Sequence, residues 1–313
     1  MTSVVSPTPA PATQDERLGF VLVFLSALCW SFGGTVARFI ETGDSWTVIF
    51  WRSFWAASFL FGFMVWRDGL RGTLSLFRGM GLVGVAVAAC LAVCTSSFVV
   101  ALGHTTVANI LLIQAGTPLV AALLSFIFLG ERISLSTWIA IFAVIFGVGV
   151  MVSDSLGSDT SLIGNGLAVL IVIMFAIVTV LTRRFSNVRM TPAMCLGTAL
   201  AGVFAASQAS GLAVSGQDMG FLFAFGAATL GLGLALFATG ARMIAASYAA
   251  LLGTFETLLG PVWVWLVHGE VPATRTLIGG AIVLGALMSH ILLQFARMSR
   301  PQRPGVTGIA GPK

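Results

Sequence analysis

Apolar runs of about 20 residues recur along the chain, divided by short joints where Gly, Pro, Arg, Asp and Glu collect. At 1.5 Å per residue, such a run spans the roughly 30 Å hydrocarbon core of a bilayer as an α-helix. Within the runs, polarity does not alternate with period two, which argues against a membrane β-barrel. The pattern predicts ten membrane helices, over residues 18–40, 46–66, 79–100, 106–128, 135–153, 163–182, 191–213, 220–241, 247–267 and 273–296. The flanks, residues 1–17 and 297–313, read as a disordered cytoplasmic tail and a basic cytoplasmic tail; the first lacks the basic start and apolar core of a signal peptide.

The joints also repeat. With a shift of 139 positions, Gly130-Glu131 falls on Gly269-Glu270, Ile139 on Ile278 and Val144 on Val283, while Arg38 and Arg183 each close the first span of a half. Residues 18–153 and 163–296 therefore read as two five-helix repeats. Five crossings leave the second copy starting on the opposite side, so the repeats are expected to be inverted, with Pro118 and Pro261 marking corresponding helices where backbone groups are freed. Ala143-Gly147 and Ala281-Gly285 read as small-residue packing seams.

Composition changes this picture little: 58% of residues are hydrophobic and 9% charged, far below the charged fraction of soluble domains. The net charge of +5 does not point to nucleic acid. If the joints alternate sides, thirteen of the sixteen basic residues fall on one face and only Arg38 and Arg275 on the other, with Arg52 inside a span. The positive-inside rule then makes both termini cytoplasmic, and the compact joints suit a bacterial inner membrane. Cys29, Cys90, Cys94 and Cys195 all fall inside spans and read as small apolar residues, with no disulfide, metal or cofactor expected.

The ordered set SALCWSFGGTVARF, FWRSFWAASFL and the two Gly-Glu joints resembles the EamA family of the drug/metabolite transporter superfamily, over about residues 18–296. The resemblance implies an all-α integral membrane protein of ten transmembrane helices, in two inverted five-helix repeats around a central cavity. It also implies alternating access and movement of amino acids, related metabolites or other small organic solutes, often outward. Expected partners are a small-molecule solute and membrane lipids; no oligomeric state is specified. A polytopic intramembrane lipid-modifying enzyme is the alternative class. Against it, no nucleophile–base pair or metal set stands at recognisable spacing. The chain also lacks a Walker A sequence, so energy input is expected from an ion or solute gradient.

Glu256 is the strongest candidate residue, because a charge at mid-bilayer costs about 2.5–3.5 kcal/mol and calls for a wet cavity or a partner. It reads either as a group that exchanges a proton or holds an amine, or as a neutral acid bonded to a neighbouring helix. Trp263 shares its helix face. Arg52, in the second span, reads as an attractor of anionic or zwitterionic solute, or as a cation snorkelling outward to headgroups, Glu41 or Asp44. Gln114 and Thr117 share one face, with Asn109 well round the helix; such groups read a polar solute or hydrogen-bond between helices. Trp30, beside Gly33 and Gly34, reads as cavity wall or packing, and Tyr248 as an interfacial anchor.

Overall fold

A computed structural model describes residues 14–129, 135–153, 159–185, 187–240, 243 and 246–298. Most of both predicted tails and the Gly130-Glu131 joint lie outside these residues. All regular secondary structure among the described residues is helical. In chain order the helices are α1 (Gln14–Ser31), α2 (Gly33–Ala37), α3 (Ser45–Gly79), α4 (Gly81–Leu102), α5 (Val107–Gln114), α6 (Thr117–Leu129) and α7 (Leu135–Ser153). Then come α8 (Asp159–Arg184), α9 (Thr191–Gln208), α10 (Gly216–Phe223), a π-helical segment (Ala224–Gly231), α11 (Leu232–Gly240), α12 (Ala246–His268) and α13 (Thr274–Met298). Among the described residues, six stretches are long and apolar enough to cross a membrane: Arg17–Ala37, Ser45–Gly79, Gly81–Leu102, Val107–Phe128, Leu162–Thr182 and Gly216–Gly240. The chain is thus a multi-pass helical protein by length and composition.

Local chemistry explains where several helices start. Asp44 caps α3 by accepting the Trp46 N–H at 3.0 Å, Thr106 caps α5 through the Asn109 N–H at 3.2 Å, and Ser215 caps α10 through the Asp218 N–H at 3.0 Å. Each occupies donors that the first helical turn leaves unpaired.

Other features depart from the ten uniform runs. The run at 106–128 is divided between α5 and α6 at Ala115-Gly116, just before Pro118, which has no N–H to continue the ladder. Pro261, by contrast, sits inside an unbroken α12. The run at 220–241 passes through a wide π turn, and α3 continues past its predicted end to Gly79, redirected at Gly69 (φ 70°, ψ 167°). That left-handed φ suits a residue without Cβ.

Close approach of backbones organises the packing. α3 lies on α9, α4 on α8 and α9, α1 on α11 and α12, and α7 on α13. A Cβ at Gly197 would sit 2.7 Å from the Ala88 carbonyl oxygen, so α9 and α4 meet only because glycine stands there. A Cβ at Gly147 would lie 2.8 Å from the Gly279 carbonyl oxygen, which places the α7 seam where it was expected. Its partner on α13 is Gly279 to Val283, while Gly285 faces open space. The largest core cluster joins Ile49, Ile110, Ile113 and Leu119 with Leu222, Phe225, Val264 and Val283, so both halves of the chain share one apolar interior.

Candidate functional site

The site is built around Arg52. α3 turns this side chain inward rather than toward headgroups: it is 8% exposed, with its guanidinium 4.3 Å from the Phe225 ring centroid and 5.3 Å from that of Phe98. Phe225 is fully buried on the π segment, and Phe98 comes from α4. α3 approaches the π segment at Gly226, where a Cβ would overlap the Arg52 carbonyl oxygen and lie 2.7 Å from the Trp55 Cβ. The snorkelling alternative is thereby set aside. Asp44, one of its proposed partners, serves the α3 N-terminus instead, accepting from Trp46, Thr47 and Ser210.

Arg52 is under-compensated. Its Nη1 donates one long bond, 3.3 Å, to the Thr95 carbonyl oxygen, and its buried Nε has no acceptor among the described residues. Taking a cation out of water costs several kcal/mol, whereas a cation–π contact returns about 0.5–2 kcal/mol. The deficit points to something else that faces the cation. Glu256 from α12 and Cys94 from α4 lie within its electrostatic reach. Among the described residues, Arg52 and Glu256 nonetheless form no direct ion pair within 4.0 Å. Glu256 itself is partly exposed.

The other candidates divide. Trp30 packs against Phe237 of α11, ring centroids 5.5 Å apart, and its buried Nε1 has no acceptor among the described residues. A Cβ at Gly233 would overlap that indole, so α11 is shaped to receive it. Gln114, at the end of α5, likewise holds a buried Nε2 without a partner among those residues. Thr117 bridges the α5–α6 break by donating to the Gln114 carbonyl oxygen at 2.6 Å. Asn109 fastens α5 to α8, its amide nitrogen donating to Asn165 Oδ1 and, at 3.1 Å, to Thr105 Oγ1. Trp263 donates to Ser31 Oγ at 3.1 Å and stacks on Phe32, fixing α12 against the α1–α2 break. Tyr248 falls in α12 with its side chain outside the described set. Glu256 therefore lies within electrostatic reach of Arg52, Trp30 and Gln114 carry buried donors without a partner among the described residues, and Asn109, Thr117 and Trp263 are engaged in holding helices.

Phe98, Phe225 and Thr95 were not candidates from sequence, because phenylalanine in an apolar run carries no signal of its own. Only a glycine-rich stretch, GAATLGLG from Gly226 to Gly233, hinted that something packs closely there.

One end of the bundle, the predicted outer side, is tied across the halves. Arg38 Nε donates to Glu270 Oε2 at 3.1 Å, and its Nη1 and Nη2 donate to the carbonyl oxygens of Leu102 (3.0 Å) and Thr105 (3.3 Å). Glu270 Oε1 also accepts the Val107 N–H at 3.0 Å, at the start of α5. Nearby, Asp218 accepts from the Glu41 N–H and the Thr42 hydroxyl, and His268 Nε2 donates to the Thr35 carbonyl oxygen at 3.0 Å.

Residues 17–153 match the model of the EamA-like transporter family. Over these residues the chain carries an EamA domain. This family belongs to the drug/metabolite transporter superfamily and consists of transporters. No curated protein matches the chain. Among solved structures, one titled only as the crystal structure of a protein aligns with a TM-score of 0.65. The alignment covers 90% of this chain and 99% of that chain at 17% identity. At that identity the likeness is one of fold, and it runs well beyond the first half.

Proposed function

We propose that this protein is a secondary active transporter, exporting a small organic solute that bears a carboxylate and an amine, such as an amino acid or related metabolite. One observation carries the reading: a buried, under-compensated Arg52 with Glu256 within its electrostatic reach. A guanidinium offers paired N–H groups to a carboxylate, and the Glu256 carboxylate offers a counter-charge to an ammonium group. A solute carrying both would meet the Arg52 guanidinium, whose Nε has no acceptor among the described residues, and the Glu256 carboxylate.

The reading includes ten membrane helices in two inverted halves. Its support is that the packing survives exchange of the halves: α4 lies on α8 and α9, while the Gly216–Gly240 pass lies on α1 and α3. Alternating access follows when the Arg38–Glu270 ties open as the opposite end closes. The location is a bacterial inner membrane with both termini cytoplasmic, and proton exchange at Glu256 supplies the coupling.

Two steps test this. Metabolites are first compared inside and outside cells with and without the protein, and candidate solutes are then confirmed in vesicles. Wild type and Glu256→Gln are next compared for counterflow and for uphill movement driven by a pH gradient. The expected mutant loses uphill movement and keeps counterflow only at raised solute concentration, because the amide no longer offers a counter-charge to the ammonium group. Unchanged coupling in the mutant would refute the proton role, and turnover of a lipid by the purified protein would favour an enzyme.

A further inference from the structure

The transport reading leaves unused a feature on the exposed flank of α3. Ser58, Phe59, Gly62, Phe63 and Trp66 line an open groove of about 330 Å³, almost entirely apolar. Its floor is Gly62, where an added Cβ would meet nothing within 4 Å, and Trp66 stands 83% exposed at its end. In a bilayer such a surface meets acyl chains. What distinguishes this groove is the charge at its mouth.

Arg67 lies with its guanidinium 5.4 Å from the Phe63 ring centroid, directly beside the groove wall. Its Nε bonds Asp68 Oδ2 at 3.2 Å, and the other Asp68 oxygen is taken by Arg189 Nη1 at 3.0 Å. One carboxylate is thus shared by two arginines, and the Nη atoms of Arg67 have no hydrogen-bond partner among the described residues. At Gly69 the chain turns, held by the Thr73 hydroxyl donating to the Gly69 carbonyl oxygen at 2.9 Å. The continuation carries exposed Leu70 and Leu74 at i, i+4 spacing, with Arg71 exposed beside them. Exposed leucines next to arginines mark a segment at a membrane surface, where anionic headgroups attract basic side chains. The local excess is positive, with Arg67, Arg71 and Arg189 against Asp68 alone.

We propose that this groove holds one acyl chain of an anionic phospholipid, with its phosphate bound by Arg67 and Arg71. The chain packs over Gly62 between Phe59, Phe63 and Trp66. The headgroup sits where α3 turns at Gly69. The lipid then steadies the helix that carries Arg52, without entering the interior site.

The test uses full-length protein in phosphatidylcholine vesicles doped with brominated phosphatidylglycerol or brominated phosphatidylcholine. Trp66 fluorescence is isolated as the difference between wild type and Trp66→Phe. The expected result is quenching at several-fold lower mole fraction of the brominated anionic lipid than of the zwitterionic one. Arg67→Gln and Arg71→Gln should each reduce that preference by about fivefold. Gly62→Leu, which has room for its side chain, should reduce quenching by both lipids without lowering Tm. Equal quenching of wild type by the two lipids, or unchanged quenching in Gly62→Leu, would overturn the proposal. So would light scattering that shows a dimer with Trp66 shielded from both, since a second copy would then fill the groove.

Discussion

Arg38 and Arg52 both bring an arginine near a glutamate from the second half of the chain, and they do opposite things with it. Arg38, about a third exposed, is fully engaged: Glu270 takes one nitrogen and two carbonyl oxygens take the others. Arg52 is buried, with one long hydrogen bond, two aromatic faces and a carboxylate held at a distance. Water could have solvated the first cheaply, yet the protein satisfies it. The second is expensive and left incomplete. The lesson is that a saturated arginine holds helices together, whereas an unsaturated one in a dry interior is a place for a ligand.

The strongest test of that contrast is Arg52→Gln. Loss of a charged hydrogen-bonding group facing solute should lower the transport rate in vesicles by roughly 10- to 100-fold. Arg52→Lys should rescue little, because an ammonium lacks the planar stack between Phe98 and Phe225. If Tm falls sharply while transport by the surviving protein is normal, Arg52 is structural after all.

Next in size is Gly226→Ala. Its Cβ would press on the α3 backbone at Arg52 and on Trp55, at a cost of about 1–3 kcal/mol. A lowered Tm in detergent, with Gly62→Ala near wild type, is the expected pair of results. It would show that close packing of α3 on the π segment holds the cation in place.

Breaking the saturated arginine should matter less to transport chemistry and more to stability. Glu270→Gln removes one ionic bond and weakens the Val107 cap, and about 1 kcal/mol is expected from a partly exposed pair. Arg38→Gln should cost a similar amount, and the double variant little more than either alone, because one network is lost only once. Full additivity would mean that the two do not act together.

The smallest effect is expected at Asp44. Partial burial pushes its carboxyl up, but hydrogen bonds from Trp46, Thr47 and Ser210 outweigh this and hold it below its ordinary value of 3.8. A depressed carboxylate stabilises the fold above its unfolded value, and that contribution is lost as pH falls through the lower folded one. Asp44→Ala should therefore lower Tm near neutrality by the equivalent of about 1 kcal/mol, the ordinary cost of losing an N-cap. The gap from wild type should narrow toward pH 3; a gap that widens there would contradict the assignment.

Much of this was legible in one dimension. Run length identified membrane helices, because backbone groups in hydrocarbon must bond within their own segment. The caps at Asp44 and Thr106 were not read from the sequence, although Asp and Thr at a helix start carry that signal. Glu256 stood out because an acid in an apolar run needs a reason. The break before Pro118 was signalled, but the same residue type at Pro261 leaves α12 whole, so proline alone did not decide. The π segment was not visible in the apolar pattern, since it keeps the same residue types on a helical path, whereas the turn of α3 falls just past the end of its apolar run at residue 66.

What the sequence determined by itself was therefore local: helix character, the mid-span acid and the EamA likeness of residues 17–153. What only the tertiary structure decided was the company each polar side chain keeps. Whether Arg52 snorkels or turns inward depends on the rotation of α3 against α9 and the π segment, a choice set by glycines far away in the chain. Its aromatic cradle joins residues 98 and 225, and the acid within its electrostatic reach is residue 256. The physical reason is range: hydrogen bonds within a helix reach four residues, while burial and charge act between whichever surfaces packing brings together.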